Sequence, residues 1–295
     1  MKTIKLFFLI ISIILFSVIY LWNDVNVMKS FIITSSFCEY RIDHFHTGID
    51  IVGENENEEV MSFSDGELIF YNNERRSGLK YGNGNFVVIE DTENEVRYNY
   101  SHLKGGSINY QNTSYKKGQI IGVQGTSGYS TGNHLHFEIE DLKTNRLINP
   151  LKIFEINDNI SPRIMDIYFI TNDNEKISLV KEYNTRIKRG GKLYISCYDR
   201  INGSNFNIVP AKISLYIDGK EISKISSEYL ERKDNAFITP EKRTLNDTYS
   251  SKVDFNYYMA EYKGLPGIVG FKIVVEDFNG NQTVFSRPLR ILIPD

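Results

Sequence analysis

The chain has 295 residues, of which 41% are hydrophobic and 24% are charged, and its formal net charge is −3 at pH 7. This length predicts about two domains, and the ordinary composition argues against a disordered protein. The small net charge excludes the strong positive field typical of nucleic-acid-binding proteins, so we predict no nucleic-acid partner. Neither Cys38 nor Cys197 belongs to a Cys-x-x-Cys pair, which excludes a thiolate zinc knuckle.

Residues 1–30 are predicted to form a signal anchor. Lys2 and Lys5 precede an apolar run over residues 6–22, close to the lower limit of about 17 residues for a membrane span. No small-x-small cleavage site follows the run. We therefore predict one hydrophobic helix in the cell membrane, with the lysines in the cytoplasm and the rest of the chain in an extracytoplasmic, periplasmic space. The alternative is a signal peptide that is cleaved on secretion.

Residues 31–157 are predicted to form an antiparallel β-domain. Short runs with strand character cover residues 59–63, 67–71, 85–90, 96–100, 119–123 and 134–140. Turn-forming pairs such as Asp65-Gly66 and Lys117-Gly118 separate these runs. No convincing amphipathic helical pattern is present in this part of the sequence.

The chain has five histidines, and all except His44 fall in three short motifs. These motifs are His46-Thr47-Gly48-Ile49-Asp50, Tyr100-Ser101-His102-Leu103 and His134-Leu135-His136. Alternation along a strand places His134 and His136 on one face. A catalytic zinc takes three protein ligands and leaves one position for water. His46, Asp50 and one histidine of the pair would supply three ligands, which leaves the other histidines for proton transfer.

In this order and spacing, the motifs resemble those of the lysostaphin-like, or LytM-type, zinc endopeptidases of bacterial cell walls. The similarity covers about residues 37–151 and includes the lead-in Phe37-Cys38-Glu39-Tyr40-Arg41 and the segments 82–89 and 117–122. The resemblance implies that His46, Asp50 and His136 bind Zn²⁺ and that His102 and His134 form the catalytic pair.

The resemblance also implies a substrate-binding residue near the metal, a place that Tyr40 or Arg41 could take. The family pattern usually has glycine where this chain has Cys38, so the thiol either adds a ligand, alters the turn or is simply tolerated. His44 is interpreted as a loop residue at the rim, outside the site.

Residues 158–295 are predicted to form an immunoglobulin-like β-sandwich after a short linker over residues 158–162. Apolar residues alternate with polar ones, and Asp218-Gly219 and Asn279-Gly280 are strong hairpin signals. This domain would provide spacing or would bind cell-wall material or a regulatory protein partner.

The sequence thus predicts an all-β, zinc-dependent endopeptidase that hydrolyses peptide bonds in the stems or cross-links of peptidoglycan. The alternative is a non-hydrolytic cell-wall-binding scaffold or regulator on the same fold. A third hypothesis, an adhesin with a structural zinc, would require four protein ligands where only three are evident.

Overall fold

The computed structural model describes residues 26–73, 82–181, 186–188, 191–250, 255–263 and 267–292. Residues 1–25, which carry most of the predicted signal anchor, lie outside the described residues. Within the described ranges, no helix is long and apolar enough to cross a membrane. Nearly all regular structure in these ranges is β-strand, which confirms the all-β prediction.

The elements up to residue 157 are short strands, followed by one 3₁₀ turn at Pro150–Lys152. The strands are β1 (Phe31–Ser35), β2 (Tyr40–Arg41), β3 (His44–Phe45), β4 (Ile49–Gly53), β5 (Glu59–Met61), β6 (Gly66–Asn72), β7 (Asn85–Asp91), β8 (Val96–Leu103), β9 (Ser114–Tyr115), β10 (Ile120–Val123), β11 (Leu135–Asp141) and β12 (Arg146–Ile148).

The elements beyond residue 157 are longer strands and one helical turn, α1 (Leu245–Thr248). A capping box formed by Thr244 and Asp247 caps the N-terminus of α1. The strands are β13 (Arg163–Thr171), β14 (Lys176–Ser178), β15 (Arg186–Lys188), β16 (Gly191–Tyr198), β17 (Lys212–Ile217), β18 (Lys220–Ser226), β19 (Tyr229–Lys233), β20 (Ala236–Ile238), β21 (Asn256–Tyr262), β22 (Gly267–Glu276) and β23 (Gln282–Leu292).

The largest sheet is centred on β11. Strand β8 pairs with one edge of β11, while β4 and β12 share its other edge. Alternate residues of β8 and β11 form the core below the sheet. Phe137 packs against Tyr98 and Tyr100, with ring centroids 6.2 and 5.1 Å away, and all three side chains are buried. The opposite face of β11 therefore remains available for polar residues.

Two strands from beyond residue 157 extend this sheet. Strand β19 pairs with β12 in the register Leu147↔Leu230, and β20 pairs with β19. The chain therefore returns to the first sheet after the predicted boundary at residue 157. The boundary itself stays a prediction, but the two segments are joined by backbone hydrogen bonds.

Strands β5 and β10 form a two-stranded sheet, as do β2 and β3, and the remaining strands beyond residue 157 form two larger sheets. One has the order β14-β13-β16-β21 and the other β15-β23-β22-β17-β18. Buried residues alternate with more exposed ones along β16 and along β22. Asp218 and Gly219, with φ of 49° and 79°, form the predicted two-residue hairpin turn between β17 and β18. The immunoglobulin-like assignment of this region stays a prediction.

Candidate metal centre

The centre lies on the polar face of the sheet, where β4 and β11 run side by side. Asp50 of β4 is paired directly with His136 of β11. Because alternate residues of a strand share a face, Glu138 lies on the same side as His136, while Phe137 points into the core. Cross-strand neighbours have their Cβ atoms about 4.5–5.5 Å apart, so the register alone brings the carboxylate and the imidazole together.

His46 reaches the same point from the segment between β3 and β4. Its backbone is held in a narrow loop, since the His46 N–H donates to the Glu39 carbonyl and the Cys38 N–H donates to the His46 carbonyl, both at 2.8 Å. Gly48 then brings the chain close to β11. A Cβ atom at this position would lie 2.4 Å from the Phe137 carbonyl oxygen and 2.9 Å from Cε1 of His136, so only glycine fits.

Three ligand atoms converge at the centre. His46 Nε2 is 3.1 Å from Asp50 Oδ1 and 3.0 Å from His136 Nδ1, and the latter is 2.9 Å from Asp50 Oδ1. Zinc bonds of about 2.0–2.1 Å in tetrahedral geometry place neighbouring ligand atoms about 3.3 Å apart. The triangle formed by His46, Asp50 and His136 is therefore close to one face of a zinc tetrahedron.

The remote nitrogens of both imidazoles are bonded to oxygen acceptors. His46 Nδ1 donates to the Ser36 carbonyl at 2.7 Å, and His136 Nε2 donates to Glu138 Oε1 at 3.1 Å. The converging nitrogens then present lone pairs to each other and to the Asp50 carboxylate. Such an arrangement is repulsive unless a metal ion or an extra proton lies among them. The donor set, with its oriented outer partners, fits zinc.

Charge coupling at the centre is strong because His46 and His136 are buried and Asp50 is partly buried. Burial by itself raises the pKa of Asp50, but hydrogen bonds from His136 and His46 outweigh it and hold the pKa well below its usual range. Burial lowers the pKa of His136, and the carboxylates of Asp50 and Glu138 more than offset this and raise it to about 10. In the metal-free protein a proton therefore takes the place of the cation.

His102 and His134 face each other beside the three ligands, with ring centroids 4.8 Å apart. His102 Nδ1 donates to the Ser127 carbonyl at 2.8 Å, and His134 Nδ1 donates to the Gly132 carbonyl at 2.9 Å. Each Nε2 is thereby left as the proton-accepting nitrogen. His134 Nε2 lies 3.6 Å from Asp50 Oδ1, next to the metal ligands. Both histidines can therefore accept a proton at Nε2.

The backbone of His102 departs from regular strand geometry. Regular alternation from Tyr98 and Tyr100 would send His102 into the core, but its φ is +63°, a left-handed value that is costly for a non-glycine residue. This turn keeps the ring beside His134 and His136. Burial, together with the positive charge of those two histidines, lowers the pKa of His102 to about 4. The ring is therefore neutral near pH 7.

Arg41 and Tyr40 differ in how they relate to the centre. Arg41 Nη2 lies 3.4 Å from Asp50 Oδ2, on the oxygen that does not join the triangle. Tyr40 donates its hydroxyl to the Ile42 carbonyl at 2.8 Å, and its ring packs edge-on against Tyr249. The structure thus brings Arg41 to the centre and directs Tyr40 toward the segment beyond residue 157.

Cys38 and His44 lie outside the group of ligands. Cys38 adopts a φ of 66°, a left-handed conformation that glycine adopts without strain. Its thiol is free and buried, and burial together with the charge of Glu241 raises the pKa of the thiol well above its usual range. Cys38 is absent from the cluster of candidate ligands among the described residues. His44 is exposed and bonds to Asp43.

Glu138 is a functional residue that the sequence reasoning missed. It accepts from His136, from the Thr47 hydroxyl and, at 2.9 Å, from Asn99 Nδ2. Burial raises the pKa of Glu138, but these bonds and the charge of His136 lower it to about 2. The signal was present, because His134, His136 and Glu138 follow the same two-residue period of one strand.

A cleft of about 450 Å³ lies beside the centre, with Glu138 in its lining. Its lining includes Thr47, Asn99 and Glu138 from the first segment, and Arg232 and Phe237 from the β19–β20 hairpin. The segment beyond residue 157 therefore contributes side chains to the cleft beside the candidate metal centre.

Comparison with known proteins identifies the segment that carries this centre. Residues 44–150 match the sequence model of Peptidase family M23. This match confirms, over residues 44–150, the resemblance to the lysostaphin-like peptidases. A second family model, which carries no functional description, matches residues 161–291.

Two relatives illustrate the similarity. The glycyl-glycine endopeptidase ALE-1 of Staphylococcus capitis is 33% identical over 93 residues, which are 32% of this chain and 24% of that protein. The DD-carboxypeptidase/endopeptidase Mpg of Neisseria meningitidis is 38% identical over 93 residues, which are 32% of this chain and 19% of that protein. The match thus spans a quarter or less of each relative.

The catalytic domain of lysostaphin from Staphylococcus simulans aligns with 44% of this chain and 98% of that domain, at 23% identity and a TM-score of 0.36.

Proposed function

We propose that this chain is a zinc-dependent endopeptidase that hydrolyses peptide bonds in the stems or cross-links of bacterial peptidoglycan. The observation that carries the proposal is the convergence of His46, Asp50 and His136 within 3.1 Å, with two further histidines beside them. Three protein ligands leave a coordination position free, which is typical of catalytic rather than structural zinc. This geometry also disfavours an adhesin with a structural zinc.

His46, Asp50 and His136 would hold the metal, which when bound acidifies water and polarises the scissile carbonyl. Glu138 keeps the proton of His136 on Nε2 and so directs the Nδ1 lone pair toward the metal. His134 and His102 present their Nε2 atoms as bases. One of them accepts a proton as water attacks the carbonyl carbon. The pair then returns a proton to the leaving amine as the C–N bond breaks.

The substrate would lie along the cleft beside Glu138, with its scissile bond at the metal. A cleft open along a strand suits an extended peptide, and Arg232 and Arg97 line it together with Glu138 and Glu140. ALE-1 and Mpg are named for endopeptidase activity, which supports a peptide substrate for this chain too. Arg41, at 3.4 Å from Asp50 and partly exposed, is the better placed of the two proposed substrate-binding residues.

We further propose that residues 1–30 anchor the protein in the cell membrane and that the peptidase segment lies outside the cytoplasm, with the second segment open to a regulatory partner. The apolar run over residues 6–22 after Lys2 and Lys5 supports the anchor. Fractionation of cells that express the full chain checks it. Recovery of the protein in the soluble cytoplasmic fraction would contradict this localisation.

The activity can be tested with purified peptidoglycan. The full-length chain is incubated with it in the presence and absence of a chelator, and new amino termini are identified by mass spectrometry. We expect His136→Ala to lose both zinc and hydrolysis, and His102→Ala to keep zinc and lose hydrolysis. His44→Ala is the matched control, because His44 is an exposed histidine outside the centre.

Release of defined peptides that stops with chelator would support the proposal. If the wild-type chain binds one zinc but releases no peptide, the non-hydrolytic scaffold becomes the better interpretation. Hydrolysis that persists in both His136→Ala and His102→Ala would refute the assignment of the centre.

A further inference from the structure

A second group of candidate ligands lies beyond residue 157, away from the histidines. Asp158 belongs to the linker, Asp199 follows β16, and Asp277 follows β22. One carboxylate oxygen of each lies within 4.8 Å of the others. The three residues are 8%, 4% and 4% exposed. Three acidic side chains are thus gathered in the interior, where an isolated charge is costly.

No basic side chain among the described residues forms an ion pair with this cluster. The carboxylates of Asp158 and Asp277 are held by hydrogen-bond donors instead. Asp158 Oδ1 accepts from the N–H groups of Ile160 and Asn202, both at 3.1 Å. Asp277 Oδ1 accepts from the N–H groups of Asn279 and Asn281, both at 2.8 Å. These bonds orient two carboxylates but leave the summed charge without a cation.

Asp199 provides the decisive observation. Its Oδ1 atom is buried and has no hydrogen-bond partner. An orphan carboxylate oxygen costs free energy in the interior unless something absent from the polypeptide satisfies it. Asp199, Asp158 and Asp277 also line a cavity of about 10 Å³, which is the space of about one water molecule or one ion.

We propose that Asp158, Asp199 and Asp277 bind one divalent cation with the chemistry of calcium. The donors are all oxygens, which suits Ca²⁺ or Mg²⁺ and contrasts with the nitrogen-rich centre on the first sheet. Ca–O bonds of about 2.3–2.6 Å allow oxygens on opposite sides of the ion to be about 4.6–5.2 Å apart. Carboxylate oxygens that all lie within 4.8 Å of one another can therefore share one Ca²⁺. Mg²⁺ usually keeps several waters, for which a cavity of about 10 Å³ has no room, and this favours calcium.

The ion would clamp the linker to the two loops that surround it. The same three segments already exchange hydrogen bonds, because Asn279 Nδ2 donates to the Ile156 carbonyl at 2.6 Å and Asn281 Nδ2 donates to the Asp158 carbonyl at 3.1 Å. A cation among the carboxylates would neutralise their repulsion and tighten these contacts. Its role is therefore structural, at the junction that follows the peptidase segment.

Without the cation, a proton must take its place. Burial, and then the charges of Asp277 and Asp158, raise the pKa of Asp199 to about 8. The competing explanation is therefore that Asp199 is mostly protonated near pH 7 and needs no metal.

The test measures thermal unfolding of the full-length chain at fixed zinc concentration while calcium is raised to about 10 mM, above the weakest protein affinities of about 1 mM. We expect the unfolding midpoint of the wild type to rise with the logarithm of calcium concentration. Asp199→Asn should bind calcium at least about tenfold more weakly. Asp173→Asn, an exposed aspartate between β13 and β14, is the control and should behave as the wild type.

Without calcium, Asp199→Asn should unfold at or above the wild-type midpoint, because one uncompensated acid is removed. A wild-type midpoint that does not respond to calcium, or an equal response in Asp199→Asn, would overturn the proposal in favour of protonation. If Asp199→Asn does not fold, terbium luminescence of the wild type decides, with Tyr198 adjacent as a sensitiser. Emission that calcium displaces supports the site, and absence of emission overturns it.

Discussion

Glu138→Gln tests whether the outer partner of a ligand histidine controls metal binding. The substitution keeps the size of the side chain but removes the negative charge that lies 3.1 Å from His136 Nε2. It also disturbs the other bonds of Glu138, since its Oε1 already accepts from Thr47 and its Oε2 accepts from Asn99. A glutamine can offer its single oxygen to His136 and Thr47, but its amide then meets the Asn99 amide.

Loss of such an outer partner typically weakens metal binding about 10–100-fold, or about 1.4–2.8 kcal/mol. We expect this range for zinc binding by Glu138→Gln, measured by competition with a chelating dye. Glu140→Gln is the matched control, because Glu140 lies two residues along the same strand and pairs with Arg97 rather than with a histidine. Equal zinc affinity in Glu138→Gln and the wild type, or equal weakening in the control, would refute the reasoning.

Three other substitutions test a close backbone contact, the cleft and a buried hydrogen bond near the centre. Gly48→Ala places a methyl group 2.4 Å from the Phe137 carbonyl oxygen, so we expect loss of zinc in the same dye assay; retained affinity would contradict the close approach. Arg232→Ala should raise KM severalfold with little change in kcat, because Arg232 lines a cleft whose lining does not include the proposed catalytic pair. A fall in kcat alone would argue against this. Tyr249→Phe removes a buried hydrogen bond of 2.6 Å from the tyrosine hydroxyl to the Cys38 carbonyl. It should lower the free energy of unfolding, measured by chemical denaturation, by about 1–3 kcal/mol. An unchanged free energy of unfolding would contradict the importance of this contact.

Local patterns predicted three of the strands near the centre but not β4, which carries Asp50. The runs predicted at residues 85–90, 96–100 and 134–140 correspond to β7, β8 and β11, with ends that differ by a few residues. The two-residue period of β11 was equally informative, since it predicts which side chains share a face whatever the strand pairs with. Glu138 was missed because the period was applied only to the histidines.

The position of His102 could not be read from its strand. Alternation would place it beneath the sheet with Tyr100, and a left-handed backbone, φ +63°, keeps it on the upper face. Such a conformation is unfavourable locally and persists only because surrounding contacts impose it, such as the bond from His102 Nδ1 to the Ser127 carbonyl at 2.8 Å. The family resemblance identified the residue, but the strand pattern alone did not.

The sequence by itself determined the all-β class, the strands that carry His102 and His136 and the residue types that suit zinc, because these depend on side-chain chemistry and a short period. Only the tertiary structure decided that β19 and β20 pair with the first sheet and line the cleft on it. It alone gathered Asp158, Asp199 and Asp277 into one buried cluster. Pairing between distant segments depends on chain topology and on contacts that form across the whole fold, and no local pattern encodes either.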